Sequence, residues 1–233
     1  MKRKACYLLA TMALGLSLAV QPNLASAESG GFSRLSAQWW QWALSIPTSN
    51  SPLLDTTGEK CMVGQRGPTW FLATVFFGGS GTPIIRNCTV PDNVSLFFPV
   101  TNFVNINSPN ICGEGPAEKS VAALRAGAAP FIDGAINLLV EIDGKPVEHL
   151  RRLQSKVFAA ALPEENIFDA PCASIGNVPA GVYSPAVDDG VYVHIGALKP
   201  GPHILRIRAQ SPASGFVQED VIYNLNVQHV SLK

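Results

Sequence analysis

Near the C-terminal end, Gly190 to Ala209 reads GVYVHIGALKPGPHILRIRA, and its hydrophobicity repeats every second residue. Val191, Val193 and Ile195 alternate with Tyr192, His194 and Gly196; His203, Leu205, Ile207 and Ala209 alternate with Ile204, Arg206 and Arg208. A period of two sends successive side chains to opposite faces of a strand, so this stretch predicts two strands of one sheet, each with a buried and a wet side. Pro200 and Pro202 fix φ and Gly201 tolerates φ > 0, which forces a turn between them, with Leu198 pushed into the core. On this pattern Tyr192 and His194 share the solvated side. His203 lies with Leu205 and Ile207 and reads as a hydrogen-bonded core histidine rather than a metal ligand.

The rest of the chain repeats the theme. Trp70 to Phe77 reads as a buried strand, the glycine run Gly78 to Pro83 as a hairpin loop, and Ile84 to Val90 as the returning strand. Val94 to Val104 is a third strand, placed at an edge or given a bulge by Pro99. Ala135 to Ile142 turns through Asp143-Gly144 into Lys145-Pro146-Val147. Ser155 to Leu162 is another strand, Pro163 to Ala186 a long loop, Asp188-Asp189-Gly190 a turn, Ser211 to Asp220 a polar connector and Val221 to Val227 the closing strand. Two short helices interrupt the pattern. Ser33 to Ile46, capped by Ser33 and stopped by Pro47, carries Phe32, Leu35, Trp39, Trp42, Ala43 and Ile46 on one stripe. Trp40 falls off that stripe and is expected at the surface. Ala117 to Ala129 is the second helix, ended by Pro130. About eight short strands with proline- and glycine-rich turns predict a mainly-β fold, an antiparallel β-sandwich of immunoglobulin-like or jelly-roll topology with a Trp-rich N-terminal helix.

The first 27 residues are read as a secretory signal peptide: Lys2, Arg3 and Lys4, an apolar run from Tyr7 to Val20, then Ala25-Ser26-Ala27 before the cut. The run is too short and wrongly flanked for a membrane span, and Cys6 precedes it, so it is not a lipid-attachment cysteine. Residues 28–233 are expected to form a single domain with no transmembrane segment, secreted or periplasmic. The leader removes three of the 17 basic residues and none of the 17 acidic ones, leaving a net charge of −3. That balance argues against a nucleic-acid partner. Four cysteines remain, and in an exported chain they read as two disulfides with three possible connectivities. We expect Cys61–Cys88, closing the hairpin around Trp70, and by elimination Cys112–Cys172.

Two stretches, SAQWWQWALSIP at Ser36 to Pro47 and LKPGPHIL at Leu198 to Leu205, resemble a group of uncharacterised bacterial exported proteins. GQRGPTWFLA at Gly64 to Ala73 and LFFPV at Leu96 to Val100 fit the same group. The resemblance implies export and a single domain; it transfers no activity and no site residue.

No nucleophile elbow, zincin, Walker or dinucleotide fingerprint is present, and no cofactor or metal is implied. Trp40 is a candidate stacking platform for a sugar. Asp55, Arg66, Arg86 and Asp189 adjoin apolar runs, where a buried arginine ordinarily finds a carboxylate. His194 is the wet histidine. The expected role is a non-catalytic binding or surface-interaction domain for a glycan, a cell-surface component or a protein. The alternative is an extracellular carbohydrate-active hydrolase or lyase whose acids are brought together by the fold.

Overall fold

The computed structural model describes residues 24–76, 82–211 and 216–229. In chain order its elements are helix α1 (Leu24–Leu44), strands β1 (Thr69–Phe71), β2 (Ile84–Pro91) and β3 (Ser95–Ile106), helix α2 (Val121–Asp133), strands β4 (Ile136–Ile142), β5 (Lys145–Pro146), β6 (Arg151–Gln154) and β7 (Phe158–Leu162), a one-turn helix α3 (Asp169–Cys172), and the long strands β8 (Gly181–Ile195), β9 (Gly201–Ser211) and β10 (Phe216–Gln228). The basic residues and apolar run of the expected leader, and the glycines of the expected 78–83 loop, lie outside the described residues.

Two five-stranded sheets stack as a sandwich. Sheet I runs β1-β3-β8-β6, with β7 also on β8; sheet II runs β2-β10-β9-β4-β5. Both are mixed rather than purely antiparallel: β1 lies parallel to β3 and β2 parallel to β10. The cause is the early path of the chain. After Phe71 it leaves sheet I for β2 in sheet II, and after Pro91 it returns for β3, so the expected hairpin around Trp70 does not form. A strand that enters an edge from the other sheet is free to run alongside its neighbour. The inner faces meet through Trp70, Leu96, Phe98, Val100, Val191 and Val193 from sheet I and Val140, Leu205, Ile207, Val221, Tyr223 and Leu225 from sheet II.

The Leu-Lys-Pro-Gly-Pro turn is present, with Gly201 at φ 130° and Leu198 packed on the core. It is a corner between sheets, however: β8 belongs to sheet I and β9 to sheet II. Alternation reports which side of a strand is buried, not which strand it pairs with. β9 keeps the expected alternation. In β8, every residue from Ala186 to Val193 is buried, because one face meets sheet II while α1 covers the other. Tyr192 is therefore fully buried, not wet, and Asp188-Asp189-Gly190 is the middle of a strand, not a turn.

Helix α1 forms that outer layer. It extends from Leu24 through Ser33, so Ser33 is interior and not a cap. Its apolar arc is wide: Ala37, Trp39, Trp40, Trp42, Ala43 and Leu44 are all buried against Phe97, Phe158, Ala160, Leu162 and Tyr192. Helix α2 starts at Ser120, whose hydroxyl accepts the Ala123 N–H at 3.2 Å, and it continues past Pro130. The extra turn brings Ile132 to the core and stacks Phe131 on Phe103, ring centres 3.8 Å apart. Pro99 gives β3 a bulge at 99–101, yet β3 is an interior strand between β1 and β8. At the Asp143-Gly144 hairpin both residues take φ > 0, at 53° and 73°, as a two-residue turn requires.

Both disulfides pair as expected, with Cα atoms 6.0 Å apart for Cys61–Cys88 and 5.2 Å for Cys112–Cys172. The first ties the 51–68 loop to β2 rather than closing a hairpin. The second ties the 107–120 connector to α3.

Candidate functional site

The solvent-facing side of α1 forms one wall of a groove of about 950 Å³. Arg34, Gln38, Gln41 and Ser45 line it at intervals of four, three and four residues, and all are exposed. That spacing places them in one row along a helix. Gly64, Arg66, Pro68 and Thr69 form the opposite wall, and Leu35, Trp42, Ile46 and Phe71 the floor. The far wall is rigid for local reasons. Trp42 donates its indole N–H to the Val63 carbonyl at 2.9 Å. Gln65 donates to the carbonyls of Cys61 and Phe71 and accepts the Phe71 N–H. The neighbouring disulfide anchors Cys61. Arg66 was expected to be half-buried in an ion pair. It is exposed, on the loop that Gln65 and Pro68 bind to the edge of sheet I, and no carboxylate pairs with it among the described residues. Among the described residues the groove lining carries two arginines and no carboxylate.

The other candidates lie in the interior. Trp40 is 3 % exposed and so offers no stacking face. The wide arc of α1 seats it on sheet I, where its indole N–H donates to Asp188 Oδ1 at 2.8 Å. The Tyr192 hydroxyl donates to Asp188 Oδ2 at 2.9 Å and accepts from Asn102 Nδ2 at 2.9 Å; Ser36 completes the shell. Backbone and side chain of Ser155 bracket Asp188 from β8's edge, at 2.9 and 2.8 Å. Burial pushes the Asp188 carboxyl up to about 8, against the pull of the Trp40 and Tyr192 donors. The group is therefore largely neutral at pH 7. Its role is to satisfy donors that α1 brings into an apolar layer.

Asp189 points to the other face of β8. The Arg152 guanidinium donates to both its oxygens at 3.1 Å and reaches on to Asp133 of α2 at 2.6 Å. This is the ion pair expected for a buried acid, and it pins α2 to sheet I. His194 is exposed as expected, edge-on to Phe32 and Phe97 with ring centres 5.6 and 6.0 Å away, and partial burial there lowers its pKa. His203 is bonded to Asp143 Oδ2 and the Lys199 carbonyl, but it braces the hairpin turn rather than the core. A second acid with a raised pKa, half-buried Glu219, lines a small cavity with Thr101 and Phe103; one carboxyl oxygen is out of solvent, and burial raises the group to about 8.

Asp55 and Arg86 do meet, but not as an ion pair. The Asp55 carboxylate accepts the N–H groups of Thr57, Gly58 and Lys60 and the Thr57 hydroxyl. Burial acts to raise its pKa; those donors outweigh it and leave the group below the ordinary carboxylate range. Arg86 is 1 % exposed. Among the described residues it donates to the carbonyls of Asp55, Ala73 and Thr74 and to the Tyr223 hydroxyl, at 2.6–3.3 Å. The turn they build lays Gly58 on the backbone of the edge strand β2: a Cβ there would sit 2.3 Å from the Asn87 oxygen, and φ is +94°. Thr57 covers the Asn87 N–H at 2.8 Å, so part of an exposed strand edge is closed to other chains.

The structure thus separates the sequence candidates. Trp40, Asp55, Arg86 and Asp189 hold the fold, His194 is a surface histidine against Phe32 and Phe97, and of the sequence candidates Arg66 alone lines the groove. Its partners there, Arg34, Gln38, Gln41 and Ser45, were missed, although they form the polar complement of the apolar stripe on α1. No group of three or more His, Cys, Asp or Glu side chains among the described residues is arranged to hold a metal ion. Comparison with protein-family models, with curated proteins and with solved structures finds no match for this chain.

Proposed function

We propose that the chain is a non-catalytic binding domain working outside the cytosol, and that it takes an extended polar ligand along the groove between α1 and the 64–71 loop. The groove is the observation that carries this reading. It is large enough for a ligand of several rings and lined by hydrogen-bonding side chains on a rigid frame. The two disulfides are compatible with an extracellular or periplasmic protein. Among the described residues, no helix is long and apolar enough to cross a membrane. The hydrolase or lyase alternative needs two carboxylates facing each other across a cleft; Asp188 and Asp189 are both 1 % exposed and already engaged.

Two measurements bear on this. The N-terminal residue of protein recovered from outside the cytosol is expected to be Glu28. Such a cut removes only the start of α1 and leaves every tryptophan of the helix in place. Recovery of the chain with Met1 intact would refute export by a cleaved leader. On a mixed glycan and peptide array, Gln38→Trp, which fills the groove from an exposed position, is expected to abolish binding while changing stability by no more than about 0.5 kcal/mol. An unchanged array pattern, or cleavage of bound oligosaccharides by the parent protein, overturns the proposal.

A further inference from the structure

We infer that the ligand of this groove is an acidic polysaccharide strand, read by Arg34 and Arg66 from opposite walls; the inference rests on the binding role proposed above. Three observations carry it. First, both guanidinium groups are exposed and, among the described residues, have no carboxylate within ion-pair distance, whereas Arg152 and Arg206 are each engaged with buried aspartates. Two exposed guanidinium groups on one groove, with no carboxylate in its lining, present a site for anions. Second, the lining holds no acidic side chain although acidic residues outnumber basic ones over residues 28–233. The groove is therefore an electropositive channel in a net-negative molecule, which focuses an anion there and opposes the long phosphate tracks of nucleic acid. Third, the row from Arg34 to Ser45 covers eleven helical steps, roughly 16 Å. A single small anion needs one of these side chains, not four. Gln38 supplies a neutral donor and acceptor suited to hydroxyl groups, and Gln41 and Ser45, which already donate to the Ala159 and Trp42 carbonyls, add acceptor oxygens, beside partly exposed Phe71, on whose ring a sugar face can lie. A chain of sugar rings with carboxylates at intervals matches all three features.

The test uses the oxidised protein from Glu28 onward, titrated calorimetrically with oligogalacturonate, with the same oligomer as its neutral methyl ester, and with polyglutamate. Oligogalacturonate is expected to bind, the methyl ester at least tenfold more weakly. Arg34→Gln and Arg66→Gln are each expected to cost about tenfold, with the dependence on salt reduced in each. Both positions are exposed, so the variants keep the parent melting temperature, which is measured alongside. If acid and ester bind equally and the arginine variants behave as the parent while Gln38→Trp still abolishes binding, the acidic-ligand inference falls and the groove survives. Equal or tighter binding of polyglutamate makes the partner an acidic peptide and overturns the inference. If none of the three binds and Gln38→Trp leaves the array pattern untouched, the binding role itself fails.

Discussion

Replacing Arg86 with leucine is expected to destabilise the oxidised protein by about 4 kcal/mol, the upper end of what single substitutions do. The size follows from what the guanidinium holds. Its donors go to Asp55, Ala73 and Thr74 carbonyls and to the Tyr223 hydroxyl, all in the interior. Leucine fills much of the volume and supplies none of the hydrogens. Each acceptor left dry costs roughly 1–3 kcal/mol, less where it keeps a partner; the Ala73 carbonyl does, since the Tyr223 hydroxyl also donates to it at 2.7 Å. Three parts of the chain come loose together: the Asp55 turn, the crossing at residues 73–74 and the outer edge of sheet II. Arg86→Lys keeps the charge and loses the fork, so it is expected to cost about half as much. Denaturant midpoints of the three proteins, with disulfides intact, check the order. A loss under 1 kcal/mol for Arg86→Leu would show that these carbonyls find water or other donors, and that the cluster is not a keystone of the fold.

Much of the sandwich is visible in residue order, and what is hidden has a physical cause. The alternation of β10 was legible, since Val221, Tyr223, Leu225 and Val227 are buried and Asn224 and Asn226 exposed, because sheet II has one wet face; its first residues, Phe216 to Asp220, belong to what reads as a polar connector. That of β8 was not, because both of its faces are covered and its acids imitate a turn. Asp188 and Asp189 beside Gly190 look solvated until α1 is known to bring Trp40 to one and β6 to bring Arg152 to the other. Trp40 itself was misplaced because a narrow helical stripe was assumed where the helix sinks into a layer of rings. Arg86 reads as a partly buried arginine beside a carboxylate; no local pattern shows that it is fully buried and that its partners are the carbonyls of the Asp55 turn and of the crossing at residues 73–74. Of the groove, Arg66 was singled out for the wrong reason, as a half-buried ion. The row Arg34, Gln38, Gln41 and Ser45 was there to be read, but a polar helix face means a ligand site only once an opposing wall exists, and the wall arrives through Trp42, Gln65 and the Cys61–Cys88 bridge.

Asp188→Asn is expected to reverse its effect on stability between acid and mildly alkaline pH. Burial among Trp40, Tyr192 and Phe97 raises the folded-state Asp188 pKa to about 8 from an ordinary 3.8. Between those two values the folded chain keeps a proton that the unfolded chain has released. Stability from this group is thus complete below pH 3.8, falls as pH rises, and levels above about 8. The slope at full separation is about 1.4 kcal/mol per pH unit for one proton. Glu219, raised to about 8 by burial, adds a slope of the same sign, so the parent protein is compared with Asp188→Asn rather than with a flat line. Asparagine carries no charge at any pH and retains an oxygen for the Trp40 N–H. Turning the Asn102 amide over lets it accept the Tyr192 hydroxyl while the new amide donates to the same oxygen. Near pH 4 the variant is therefore expected to match or fall slightly below the parent, and by pH 8 to exceed it by several kcal/mol, with the difference curve rising by one proton's slope. Denaturant unfolding at intervals from pH 4 to 9 gives that curve directly. Parallel profiles for the two proteins would mean that Asp188 is ionised in the folded state across the whole range, and that the Trp40, Tyr192 and Ser36 donors, not the surrounding rings, govern its charge.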